Sequence, residues 1–445
     1  MTHPTKPRLS LFAFGDFAFN LYWQSVMLFL LFYYTDAMKL PIAVAATVYA
    51  IASVWDGIAN FTAGILVDRW QSRLRYGPLL AAGAAPLGIS FVLAYFPPAL
   101  PGVLGAGVVL AGQLLFRTAY AATNVPYLAM SARVSADPGD RALIAGMRML
   151  FGTCAAVLVA LGTVPIGRWF TGSVDTPRTY LAAAVIFAVI GAAIMVLVGT
   201  TYRESAQVER PPPGSTRTAL ISLTRNRAFV ALNAAMLAMI IAVTVLGKSV
   251  LYYFKYVLSD FEAGQLALAS VNAVGAVAIL GWMVAGRFLG LRTLWLIATS
   301  AAMLGLAGFA LGDVRTSTGM QLFLIGMQVL IVGMHFTFWA MLPNTIEYGE
   351  VETGLHVEGA VFGVAALLQR IAIGIATAIL GWTYASSGYV ANVQQSAHTL
   401  TAMRATVALV PLLFLALSGI AMIFNPLGRS ANRRAAAQVS SETAA

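Results

Sequence analysis

Six ionisable side chains stand inside stretches that are otherwise apolar: Asp16, Asp56, Arg117, Arg148, Lys248 and Arg370. Asp56 is the clearest case, in the middle of Val54-Trp55-Asp56-Gly57-Ile58-Ala59-Asn60. In hydrocarbon a carboxylate costs roughly 2.5–3.5 kcal/mol on insertion scales, so it requires a cation, a proton or a water-filled cavity. A lone carboxylate in low dielectric can take up and release a proton, which is the chemistry of a proton-coupled carrier. Beyond it the chain leaves the apolar run through Gly64-Ile65-Leu66-Val67-Asp68-Arg69, with Arg73 and Arg75 close behind. The two acids among the six face four bases. That excess of positive charge invites an anionic ligand, because an uncompensated cation in low dielectric is costly.

Composition says what must position these groups. Hydrophobic residues make up 59% of the 445 and charged residues 10%, against roughly 25% charged in soluble domains. This is the composition of an all-α polytopic membrane protein. The net charge of +10 is no nucleic-acid signal, since the basic residues fall between apolar runs and form no surface with aromatics; they read as topology signals. A single cysteine, Cys154, excludes a disulfide framework and a cysteine metal site. Residues 1–10 are polar and the first apolar run is too long for a signal h-region, so no cleavable signal is expected. No Gly-x-x-x-x-Gly-Lys-Ser/Thr occurs, so uphill transport would draw on a co-transported ion. No nucleophile–base pair or metal cluster suggests an enzyme, and no cofactor is expected.

Apolar runs of about 20 residues fall near 10–35, 41–67, 77–96, 102–131, 143–168, 179–200, 228–257, 262–287, 292–311, 318–345, 358–386 and 402–425. The long interruption at 201–227, with Pro211-Pro212-Pro213 and a basic run, reads as a linker between an N-terminal six-span unit (1–200) and a C-terminal one (228–445). Lys6, Arg8, Arg69, Arg73, Arg75, Arg133, Arg141, Arg203, Arg210, Arg217, Arg225, Arg227, Arg287, Arg292, Arg429, Arg433 and Arg434 all fall on one side. Positive-inside bias places that side, and both termini, in the cytoplasm of a bacterial inner membrane. The halves echo each other: Phe32-Tyr33-Tyr34-Thr35-Asp36 closes the first run and Tyr252-Tyr253-Phe254-Lys255-Tyr256 the seventh. Paired repeats with a site at the midplane are a transporter arrangement.

Six motifs in order carry a resemblance: Phe14-Gly15-Asp16-Phe17, Tyr33-Tyr34-Thr35-Asp36, Trp55-Asp56, Asn124-Val125-Pro126-Tyr127, Glu347-Tyr348-Gly349-Glu350 followed by Thr353-Gly354 and Glu358-Gly359, and Ser387-Gly388-Tyr389 with Ala391-Asn392. Together they resemble the glycoside–pentoside–hexuronide:cation symporter family of the major facilitator superfamily, nearly end to end. The resemblance implies twelve helices in two six-helix bundles and alternating-access symport of a sugar or glycoside with H+, Na+ or Li+. Melibiose-type members hold the ion with two acids one turn apart on helix two. The first position is Asp56 here, but the second is Asn60, and a hydroxyl ligand on helix four corresponds to Ala121. Protonation of Asp56 is therefore expected rather than sodium coupling.

The sugar-binding acid and its arginine correspond to Asp16 and Arg148. Arg370 stands where the family has a lysine, to neutralise Asp56 or contact substrate. Asn124 replaces a sugar-binding aspartate. Arg117, Tyr120 and Asn124 share one helix face. Tyr120, Tyr127 and Trp339 are the candidate stacking rings, and Lys248 either faces the substrate or snorkels outward. His335 either titrates or is an ordinary interior histidine. Asp68, Arg69, Arg73 and Arg75 form the expected gate of one half, and Glu347, Glu350 and Glu358 that of the other. The charge surplus favours a hexuronide over a neutral glycoside, on the premise that Arg117 and Lys248 lack acidic partners. The alternatives are a carrier of a lysolipid or drug on the same fold, or a membrane sensor that does not transport. The expected partners are a small-molecule substrate, a coupling cation and the bilayer, with no nucleic acid, and the chain is expected to act as a monomer.

Overall fold

The computed structural model describes residues 6–70, 75–98, 100, 102–135, 138–174, 176–202, 216–312, 314–353 and 358–427. Twelve helical spans long and apolar enough to cross a membrane follow in order: Lys6–Ala37, Ile42–Val67, Tyr76–Ala94, Gly102–Met130, Leu143–Thr171, Pro177–Thr201, Arg227–Val257, Phe261–Gly286, Leu291–Leu311, Ser317–Glu352, Ala360–Ser386 and Ala397–Ile423. They build an all-helical bundle whose backbone groups bond chiefly within their own helices, as hydrocarbon demands.

Two boundaries differ from the sequence reading. The tenth helix runs on to Thr353, so Glu347 and Glu350 lie on helix rather than loop. Part of the 201–227 stretch, read as linker, forms a short helix at Thr216–Arg225; residues 203–215, with the three prolines, lie outside the described residues. Its apolar Leu223 is buried while Thr218, Leu220 and Ile221 are exposed, and a one-sided apolar stripe is enough to hold a short helix against the bundle.

The weak internal echo becomes geometrical. The first and seventh spans both end in a five-residue π-helical turn, Tyr33–Ala37 and Tyr253–Val257. Met38 N donates to Tyr33 O, as Leu258 N does to Tyr253 O; Leu40 N donates to Tyr34 O, as Asp260 N does to Phe254 O. Lys39 and Ser259 follow at φ +59° and +56°. Tyr33 OH donates to Tyr95 O and Tyr253 OH to Val314 O, each the next loop of its own half. Such π-turns recur at functional sites.

The halves meet mainly along the second and eleventh spans, where small residues let backbones approach closely. A Cβ on Gly57 would lie 2.6 Å from Leu367 Cδ1 and 3.2 Å from Arg370 Cβ. The absent side chain there is what sets Arg370 beside Asp56.

Candidate functional site

Asp16 stands in the first turn of the helix Gly15–Phe32. Arg148 of the fifth span grips it with two nitrogens: Nε bonds Oδ2, and Nη2 lies 3.3 Å from Oδ1. Tyr127 OH lies 3.0 Å from Asp16 Oδ2 and 2.9 Å from Phe12 O. A Cβ at Gly15 would come within 2.6 Å of the Tyr127 ring, so that glycine makes room for the contact. The pair remains partly open, Asp16 at 14% and Arg148 at 23% exposure. A carboxylate oriented by a guanidinium fork, with an aromatic at its side, can accept from sugar hydroxyls while the arginine donates to them.

Deeper in, Asp56 is wholly buried and meets both halves. Arg117 Nη1 of its own half lies 3.4 Å from Oδ2, and Arg370 Nε of the other half lies 3.0 Å from the same oxygen. Asn60 Nδ2 donates to Asp56 Oδ1 at 3.1 Å and to the Asp56 carbonyl at 2.7 Å. Asn60 is thus turned to donate, not to offer its oxygen beside the acid, and Ala121 is a buried methyl with no ligand atom.

Around this acid runs a file of cations and rings. Arg370 Cζ lies 3.9 Å from the Trp23 ring and Arg117 Cζ 5.2 Å from it; Arg117 Cζ lies 5.5 Å from the Tyr49 ring and Lys248 Nζ 3.7 Å. Ring faces attract cations without neutralising them. The Tyr120 ring lies tilted 5.6 Å from Trp23 and edge-on 5.7 Å from Phe19, which in turn meets Tyr127, linking the Asp16 pair to the Asp56 cluster.

One expectation is corrected and one alternative is resolved. Arg117 does have an acid within reach, because the second and fourth spans pack with Asp56 and Arg117 on facing sides. Lys248 does not snorkel: at 7% exposure its ammonium turns inward over Tyr49 and approaches Met27 O at 3.5 Å. Trp23 and Tyr49 were missed, since among so many apolar aromatics nothing local marks the rings that meet cations; only the depth of Arg117 and Arg370 hinted that rings would be needed.

Asn124 is half-buried between Tyr120 and Tyr127 on its helix. Trp339 is 47% exposed and packs edge-on against Phe338, apart from the clusters described. His335 bonds the carbonyl of Ile331, one turn back. At the end of the bundle away from the two π-turns, Arg69, Arg75, Glu347 and Glu350 are exposed. Arg73 and the side chains of Asp68 and Glu358 lie outside the described residues.

The opposite face holds a third centre that sequence reasoning left without a role. Asp36, 1% exposed, accepts from Lys255 Nζ at 2.9 Å and Tyr256 OH on Oδ1, and from Tyr389 OH at 2.9 Å and Thr35 Oγ1 at 2.8 Å on Oδ2. Asn392 Nδ2 donates to the Asp36 carbonyl, and Lys255 to Asn392 Oδ1, both at 2.7 Å. Thr35 and Tyr252 pair at 2.8 Å. Two of the six motifs, together with the Tyr252–Tyr256 stretch that ends the seventh span, thus converge on one carboxylate.

Comparisons with known proteins accord with this geometry. The family described as MFS/sugar transport protein matches residues 11–429. The glucuronide carrier protein homolog of Escherichia coli (strain K12) is 27% identical over 426 residues, covering 94% of this chain and 91% of that protein. The isoprimeverose transporter of Lactiplantibacillus pentosus is 26% identical over 428 residues, covering 95% and 88%. Among solved structures, the nucleoside transporter NupG superposes with a TM-score of 0.68 at 16% identity, covering 95% of this chain and all of that one; the D-xylose-proton symporter gives 0.62 at 15%, covering 92% and 96%. With the match spanning nearly the whole chain and twelve helices carrying the family's motifs in order, this protein belongs to the MFS/sugar transport family, among the glycoside–pentoside–hexuronide:cation symporters of the major facilitator superfamily.

Proposed function

We propose that the chain is a proton-coupled symporter of a glycoside or hexuronide, working by alternating access in a bacterial inner membrane with both termini in the cytoplasm. The observation that carries this reading is the placement of Asp56: one buried carboxylate joins Arg117 of the first half to Arg370 of the second. When Asp56 is charged, it draws Arg370 and holds the halves together. A proton on the carboxylate removes that attraction and leaves Arg370 available to the substrate. Binding one partner thereby changes what the other meets, which is the differential interaction that coupling requires. Asp16 and Arg148, with Tyr127 and Tyr120, hold the sugar hydroxyls and ring faces, and Asn124 lies on the same path. Na+ is the weaker candidate because Asn60 donates to Asp56 and Ala121 offers no oxygen.

The Asp36 centre closes the outward face, so the cavity is entered from the side carrying Asp68, Arg69, Arg73, Arg75, Glu347, Glu350 and Glu358. These charges would pair across that side when it shuts. The chain acts as a monomer, since the path lies between its own halves.

Proteoliposomes test the reading. A panel of glycosides and uronides should drive proton entry with no requirement for Na+, and Asp56→Asn should lose substrate-driven proton movement and accumulation while keeping downhill exchange. A wild-type protein whose uptake depends strongly on Na+ would overturn the choice of ion. No proton or substrate movement with any member of the panel, while binding persists, would overturn the symport reading itself.

A further inference from the structure

We infer that Arg117 and Lys248, with Tyr49 and Gln113, form a buried site for a monovalent anion. The inference deepens the proposed function, because it rests on the same cavity and states what the substrate, or a free ion accompanying it, must carry.

The first observation is a charge count. Arg117 and Arg370 reach the single carboxylate of Asp56, and Lys248 shares the Tyr49 ring with Arg117; Asp56 Oδ1 is met by Asn60 and Oδ2 by the two guanidinium groups. Among the described residues no carboxylate lies within 4.0 Å of Lys248, whose nitrogen meets the ring and hydroxyl of Tyr49 and one distant carbonyl. One acid cannot balance three bases, and in low dielectric the remainder calls for a counter-ion.

The second observation is independent of charge. Arg117 turns one nitrogen to Asp56, and its Nε and Nη2 are buried without a hydrogen-bond partner. Gln113, one turn earlier on the same helix face, is also wholly buried, and neither its amide nitrogen nor its oxygen makes an aligned hydrogen bond. Buried polar groups in folded proteins are paired with few exceptions, and a cluster of exceptions marks an occupant. The two guanidinium nitrogens, the Gln113 amide nitrogen and the Lys248 ammonium outnumber the acceptors beside them that lack a hydrogen bond, Gln113 Oε1 and Asp56 Oδ2. Three of the four charged groups here are cations, so the set suits a carboxylate, a sulfonate or a halide.

The third observation is distance. Asp16 and Trp23 are seven residues apart on one helix, about 10 Å, and Tyr120 bridges them. A two-ring glycoside seated at Asp16 and Arg148 would reach Arg117 with its far end. The anionic group therefore comes either from the substrate or from a free small anion bound beside it.

Binding to the purified full chain decides the matter, with 4-nitrophenyl β-D-glucuronide, 4-nitrophenyl β-D-glucoside and chloride as probes in a chloride-free zwitterionic buffer. If the substrate supplies the charge, the wild type favours glucuronide over glucoside by at least about tenfold, the size of one charge-assisted hydrogen bond. That ratio then collapses towards one in Arg117→Gln and in Lys248→Gln and persists in Lys248→Arg, which keeps the charge. If a free anion supplies it, the ratio is near one and chloride binds saturably to the wild type but to neither neutral variant. The inference is overturned if the wild type shows neither the preference nor saturable chloride binding, or if either survives in both neutral variants. Lys248→Arg also separates loss of charge from loss of fold. Because these are binding measurements, a failure of proton coupling leaves their outcome intact, and the reverse.

Discussion

Asp36 and Asp56 are both buried carboxylates of the first half, and both reach residues of the second. Their surroundings differ in kind. Asp36 has one cation and a ring of hydroxyl donors, each oxygen receiving two bonds, with Lys255 itself satisfied by Asn392. Asp56 has two arginines competing for one oxygen, a lysine left over, and neighbouring donors with no partner. A fully satisfied network specifies one arrangement. An unsatisfied one is unfavourable as it stands and is completed by something that arrives. The first region reads as a latch and the second as a site.

The comparison can be broken most severely at the latch. Asp36→Ala takes the acid from the part-buried Lys255 and leaves the donors around it unmet; removing one partner of a fully buried ion pair costs about 3–5 kcal/mol, and the loss here should approach the lower end of that. The outward face should open as a result. In a Cys154→Ser background, a thiol placed at the wholly buried Ser249 should be protected from an impermeant maleimide when Asp36 is present and labelled when it is replaced. Equal protection in both would show that Asp36 does not hold that face shut.

A smaller effect is expected from Tyr389→Phe, which removes one donor to the same carboxylate. Hydrogen bonds to charged groups contribute about 1.5–3 kcal/mol, and the bonds from Lys255, Tyr256 and Thr35 remain. Thermal unfolding in detergent should place this variant between wild type and Asp36→Ala.

The smallest change in stability should come from the largest buried charge. Arg117→Met removes two orphaned nitrogens, and Asp56 keeps Arg370 and Asn60, so the shift should stay within about 1 kcal/mol in either direction. A loss as large as that of Asp36→Ala would mean that Arg117 is structural and that the two regions do not differ as described.

Some of this was legible along the chain. Twelve apolar runs separated by basic loops determine a polytopic helical protein, since hydrocarbon accepts little else. The spacing of Asp16, Asp56, Arg148 and Arg370 within those runs marked them as interior, and the Asp16–Arg148 and Asp56–Arg370 pairs form as expected. Charged residues are rare enough in such spans to stand out.

Partnership was not legible. Arg117 found Asp56, Lys248 turned inward, and Asp36 gathered Lys255, Tyr256, Tyr389 and Asn392 from across the chain. The repeat itself, faint in residue type, became plain in two matching π-turns and two left-handed residues. The sequence by itself determined which side chains lie within the membrane, because that depends on local hydropathy alone. Which of them meet, which are satisfied and which wait for a ligand was decided by how helices from the two halves pack. The contacts between the halves join residues more than two hundred positions apart, and they are set by angstrom-scale approaches such as that at Gly57, which no periodicity records.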